Sequence, residues 1–137
     1  MNAPFAITFE QSDLLTRLAR MDEATLDAID FGVIGFDRDC VVRHYNLFES
    51  RAAGLHKERV IGRHLFTEIA QCMNNYLVAQ KYVDAQAASG GLDETLDFVL
   101  TWRMRPTPVK LRLLASPEMA MQFLVLKHLS LSRGRPG

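Results

Sequence analysis

Long apolar runs are missing from this sequence. Nowhere does it hold the roughly 18 to 20 consecutive apolar residues that carry a helix across a bilayer. The opening MNAPFAITFEQSD has neither the basic start nor the apolar stretch of a secretion signal. No membrane partner is expected, and a cytoplasmic location is. A surplus of one charge is also missing: Lys and Arg number 16, Asp and Glu number 16. That balance removes the single-signed field that a nucleic-acid binder or a polybasic anchor uses. Cysteine is scarce, with only Cys40 and Cys72, too few for a disulfide framework and without CxxC zinc spacing. His44, His56, His64 and His128 form no HxxH or i,i+4 pair, so no metal site is expected and no haem ligand stands out. With no Ser-His-Asp set and no nucleotide loop, the chain does not read as an enzyme.

What is present is an ordinary soluble composition, 48% hydrophobic and 23% charged over 137 residues, enough for one domain with one core. Leu14, Leu15 and Leu18 after Ser12, and Leu26 and Ile29 after Asp22, predict two short N-terminal helices that pack as a flap over something larger. Phe31 to Asp37 and Cys40 to Tyr45 predict a β-hairpin turning at Arg38-Asp39. From Asn46 to Gln71, short apolar groups around Gly54 and Gly62 predict several helical turns wrapping a cavity. A helix from Tyr76 follows, with Tyr76, Ala79, Val83 and Ala87 on its apolar face and Ser89-Gly90-Gly91 ending it. Leu96, Phe98, Leu100, Trp102 and Met104 alternate with Asp97, Val99, Thr101 and Arg103, as a half-buried strand does. Pro106 and Pro108 interrupt before a strand from Val109 to Ala115, and a third strand covers Met121 to Leu129. Within one overall domain this divides the chain into a cap at 1–30, a core at 31–131 and a frayed tail at 132–137.

Helices, two strands, short helices, a longer helix and three strands make an α+β chain. A five-stranded antiparallel sheet with helices on one face and an N-terminal helical cap satisfies that order, which is the layout of a PAS domain. The layout alone names no ligand.

Several stretches resemble the photoactive yellow protein family, blue-light receptors with the PAS fold. They are MDEATLDAIDFG at 21–32, YNLFE at 45–49, VIGRHLFTEIAQC at 60–72 and MRPTPVK at 104–110. The spacing from Tyr45 to Cys72 needs no gap, and the likeness runs from Met21 to His128. The resemblance implies that Cys72 carries 4-hydroxycinnamic acid (p-coumaric acid) as a thioester. Tyr45 and Glu49 would hold its phenolate end, and Met104 would assist its return after isomerisation. Three departures alter the surroundings of this implied cofactor. Ala53 stands where the family has a threonine that supports the tyrosine. Leu55 replaces a covering arginine, for which Arg51, Arg63 or Arg103 could substitute. Leu100 and Trp102 replace Phe and Tyr on the strand facing the ring, with Trp102 keeping an aromatic wall.

Physical chemistry makes the implied set coherent. A phenol titrates near ~10, so holding it as an anion at neutral pH requires donors aimed at its oxygen. Tyr45 can donate its O–H, and Glu49 can donate only as a protonated acid, the form that burial favours. Amides of Asn74, Asn75 and the helix beyond are expected to favour a thiolate at Cys72. Light would then draw the proton from Glu49 and leave a buried carboxylate, loosening the segment from Ser12 to Ile29. The downstream signalling protein is unknown, and a monomer or weak homodimer is expected. The competing reading is a PAS module without chromophore, acting through protein contacts or another small ligand. Taken singly, Cys72, Tyr45, Glu49 and Met104 read as a buried thiol, a strand-end aromatic, a solvated helix residue and core packing.

Overall fold

Period-two apolar patterns become strands, and turn-rich segments between them become short helices. The computed structural model of the protein describes residues 7–88, 90–101 and 106–129. Its strands are β1 (Gly32–Phe36), β2 (Val42–Tyr45), β3 (Leu92–Leu100), β4 (Thr107–Ala115) and β5 (Gln122–His128). They pair antiparallel in the order β2-β1-β5-β4-β3, so the two runs of strands join through β1 and β5. The helices are α1 (Leu14–Ala19), α2 (Glu23–Asp27), α3 (Leu47–Ala53) and α4 (Ala79–Ala87). Shorter turns lie at Lys57–Arg59, Leu65–Ile69 and Gln71–Met73.

Register assigns the two faces. Gly32 and Ile34 lie opposite Leu126 and Leu124, which with His128 lie opposite Leu111, Leu113 and Val109. This face carries the larger core, where Phe36, Phe66 and Tyr82 meet edge to face or tilted and the Tyr82 hydroxyl donates to the Phe123 carbonyl at 2.7 Å. Val33, Leu114, Phe123 and Val125 point the other way, against Phe9, Leu14, Leu18, Leu26 and Ile29. The expected N-terminal flap therefore exists, and it covers the face opposite the short helices.

Several local expectations are corrected. Asp13, not Ser12, holds the N-cap position of α1, and its carboxylate takes Arg17 and Gln11 instead of capping the helix. Cys40 lies outside the strand in the left-handed region (φ 65°), held in a turn by Asp37, which accepts from the Asp39 and Val41 amides. Helix α4 opens at Ala79, because Asn75 captures the Leu77 and Val78 amides. Its buried face is Tyr82 and Ala85, continuing Val78, whereas Tyr76 is 74% exposed and Val83 53%. Strand β3 starts at Leu92, before the expected Leu96, and β4 includes Pro108, whose missing N–H is harmless because the β5 ladder begins only at Val109. Trp102, Met104 and the tail expected at 132–137 lie outside the described residues.

Candidate functional site

The site begins with how Glu49 comes to be buried. Asn46 ends β2, and its side-chain oxygen accepts from the Glu49 amide at 3.1 Å, capping α3. The same oxygen accepts from the Val33 amide at 3.0 Å, which pins the first turn of α3 to β1. Glu49 therefore faces the sheet with no exposure at all (0%). Gly32 makes the space, since a Cβ there would collide with Glu49 Oε1.

Glu49 Oε1 lies 2.9 Å from Nε2 of His128, itself 4% exposed. Glu49 Oε2 is buried and has no hydrogen-bond partner among the described residues. Burial pushes the Glu49 carboxyl above the usual range, while the His128 hydrogen bond and charge pull it partway back. The protonated acid is thus favoured.

Tyr45, at the end of β2, is 2% exposed. Burial, reinforced by the Glu49 charge, pushes its hydroxyl far above its ordinary value and keeps it a donor. Leu100 is fully buried in the same apolar cluster as Tyr45, and Leu55 and Cys72 pack against that cluster, partly buried. Cys72 sits on the turn Gln71–Met73, where its carbonyl accepts from Asn75 Nδ2 at 3.1 Å. The amides expected to favour its thiolate are engaged elsewhere: Asn74 N donates to Gln71 O and Asn75 N to Met73 O. Ala53 is buried in the last turn of α3. Of the arginines named as substitutes at Leu55, Arg63 pairs with Glu68 on the surface, Arg51 is exposed, and Arg103 lies outside the described residues.

Sequence reasoning missed His128, Asn46 and Gly32. His128 carried a signal, since it continues the inward series Leu124, Leu126 with a polar residue. Asn46 carried one too, as an Asn three residues before a Glu at a helix start. Gly32 carried none that separates it from a turn glycine. Gly32→Ala is expected to displace the Glu49 carboxyl from His128 and to cost about 1 to 3 kcal/mol as overpacking. Gly90→Ala, where a Cβ meets nothing within 4 Å, serves as control. Urea unfolding of both variants checks this, and equal stabilities would show that the carboxyl moves aside freely.

No family model matches the chain. The photoactive yellow protein of Rhodothalassium salexigens is 30% identical over 107 residues, covering 78% of this chain and 85% of that protein. The photoactive yellow protein of Halochromatium salexigens is 28% identical over the same shares. Among solved structures, the photoactive yellow protein domain from the sensor histidine kinase Ppr of Rhodospirillum centenum is 36% identical. It superimposes with a TM-score of 0.72, covering 78% of this chain and 93% of that domain. With the PAS topology in place and those relatives matched over most of their length, the chain belongs to the photoactive yellow protein family, whose members are photoreceptor and signalling modules and not enzymes.

Proposed function

We propose that the chain is a blue-light receptor that carries 4-hydroxycinnamic acid as a thioester on Cys72. The observation that supports this most is the Glu49 side chain, wholly buried yet with Oε2 unpartnered among the described residues. A buried polar atom without a partner costs about 1 to 3 kcal/mol unless a ligand meets it. A phenolic oxygen suits it, because Tyr45 supplies a second donor and Leu100 an apolar wall. The partly buried Cys72 sulfur, packed on the same cluster, suits the acyl end.

Cys72 would hold the group through its sulfur, in a thioester that its thiolate would form with an activated acyl donor, displacing the donor's leaving group with its electron pair. When bound, the group supplies visible absorption and a double bond that light isomerises. Tyr45 and Glu49 would hold the phenolate oxygen as donors of charge-assisted hydrogen bonds. By the resemblance Trp102 and Met104 would also serve the chromophore, while Ala53 and Leu55 leave the surroundings of Leu100 less polar than a threonine and an arginine would. Glu49 would give its proton to the phenolate oxygen in the lit state. A buried carboxylate costs several kcal/mol, against a domain stability of about 5 to 15 kcal/mol. Partial unfolding that starts in the N-terminal cap is the signal, passed on to a signalling partner.

Purified protein mixed with activated 4-hydroxycinnamic acid is expected to turn yellow and to bleach reversibly in blue light, and Cys72→Ser to stay colourless. An adduct absorbing only as a protonated phenol would remove Tyr45 and Glu49 from the proposed roles. Failure of Cys72 to acylate would leave a PAS module working through protein contacts or another small ligand.

A further inference from the structure

His128 is a buried titratable group that the proposed photochemistry does not use. It ends β5 on the larger core face, opposite Val109 in register, with the Phe48 ring tilted beside it at 6.1 Å between centroids. Its side chain is 2% exposed and its Nε2 reaches only one oxygen of Glu49. Glu49 thus has two unlike oxygens, Oε1 facing the Nε2 of His128 and Oε2 without a hydrogen-bond partner among the described residues.

We propose that His128 is the positioning residue of the site: its Nε2–H donates to Oε1, which leaves Oε2 to carry the acid proton, and its ring balances the charge once that proton leaves. The proposal rests on the photoreceptor reading for its purpose, though not for its geometry. With the hydrogen on Nε2, a proton on Oε1 would set two hydrogens against each other across 2.9 Å. When Glu49 donates from Oε2, the O–H bond breaks, its electron pair stays on the carboxylate and the proton passes to the acceptor anion. The carboxylate that remains is already hydrogen-bonded by His128, so this chain buries a paired charge and not a bare one. His128 also supplies, from the strand side, a cation-forming group in a site where Leu55 stands in place of the family's arginine.

The titratable groups around the pair are few. Tyr45 approaches from β2 and stays a neutral phenol. Lys127 turns to the opposite face, where it pairs with Glu10 and lies over Phe9, and Lys110 pairs with Asp97 at the surface. Arg51 on α3 is exposed. Glu49 is therefore the charge that His128 feels most closely among the described residues.

The test uses the chain without chromophore, so that it stands even if Cys72 never acylates. The tautomer of the His128 ring is read by nitrogen-15 NMR in the unaltered chain, with His128→Gln identifying its signal. A hydrogen on Nε2 is expected. A bare Nε2, with the hydrogen on Nδ1 alone, overturns the proposal. A second readout is the carboxylic-acid C=O band of Glu49 in the infrared. Its position is expected to shift in His128→Leu and to be largely restored in His128→Gln, which returns an N–H donor without a charge. A band that is the same in all three chains overturns the proposal as well. In pigmented protein, a wider light-induced unfolding in His128→Leu than in the unaltered chain is expected, and an equal or smaller one counts against charge balance by His128.

Discussion

Asn46→Ala is expected to remove on the order of 3 to 5 kcal/mol of stability, a large share of what a domain this size possesses. The side chain is 1% exposed and fully engaged. Its oxygen accepts from the Val33 and Glu49 amides at 3.0 and 3.1 Å, and its nitrogen donates to the Leu26 and Phe31 carbonyls at 3.0 and 2.9 Å. Truncation strips partners from two amides and two carbonyls at once. Each buried orphan costs about 1 to 3 kcal/mol, and water entering the gap offsets part of the sum. Urea unfolding gives the number. Asn46→Asp, which keeps the acceptor and loses the donors, is expected to lie between the two. A loss under about 1 kcal/mol for the alanine variant would mean that water satisfies all four groups. The same side chain joins Leu26, in the last turn of α2, to the first turn of α3, so amide exchange in the cap is expected to speed up together with that around Glu49.

Asn46 also marks where the sequence stopped being informative. Strand existence was legible because burial on one face writes a period of two. The trio Tyr45, Glu49 and Cys72 was legible because its spacing matches a known pattern without a gap. The alternation read from Leu96 to Leu100 survives in the structure as inward and exposed residues in turn. Patterns failed where a side chain acts on the backbone or on a distant partner. Asn75 delays α4 by capturing two amides, and a hydropathy pattern beginning at Tyr76 cannot register that competition. His128 and Glu49 meet across 79 positions of sequence, a contact fixed by sheet register and by the empty space at Gly32. Arg112 shows the same limit. In the alternation of β4 it reads as a solvated residue between Leu111 and Leu113, yet it is 5% exposed because the N-terminal segment lies over it. Period two tells which face a residue takes and not whether another segment covers that face.

That covering segment is the subject of the second large effect. Arg112→Met is expected to loosen residues 7–20 and to lower stability by about 2 to 4 kcal/mol. The guanidinium donates from Nη1 to the Phe9 and Gln11 carbonyls, both at 2.8 Å, and grips Asp93 through Nε and Nη2 at 2.9 Å each. Asp93 holds it in place, and with a side chain 53% exposed it contributes little itself, so Asp93→Asn is expected to cost under about 1 kcal/mol. The larger loss comes from the two carbonyls, which have no side-chain donor once Arg112 is gone, and from Phe9, which packs at 5.9 Å on Phe31 beneath them. Methionine fills much of the volume, so the change reports on hydrogen bonds more than on a cavity. Hydrogen exchange is the discriminating measurement. Faster exchange confined to the cap, with β4 and β5 unchanged, is the expected pattern, and uniform acceleration would show that Arg112 supports the whole sheet. If the lit state signals by releasing the cap, Arg112→Met starts with that release partly made. The light-induced rise in exchange must then shrink although Cys72, Tyr45 and Glu49 are untouched, which separates the signalling element from the light-absorbing one.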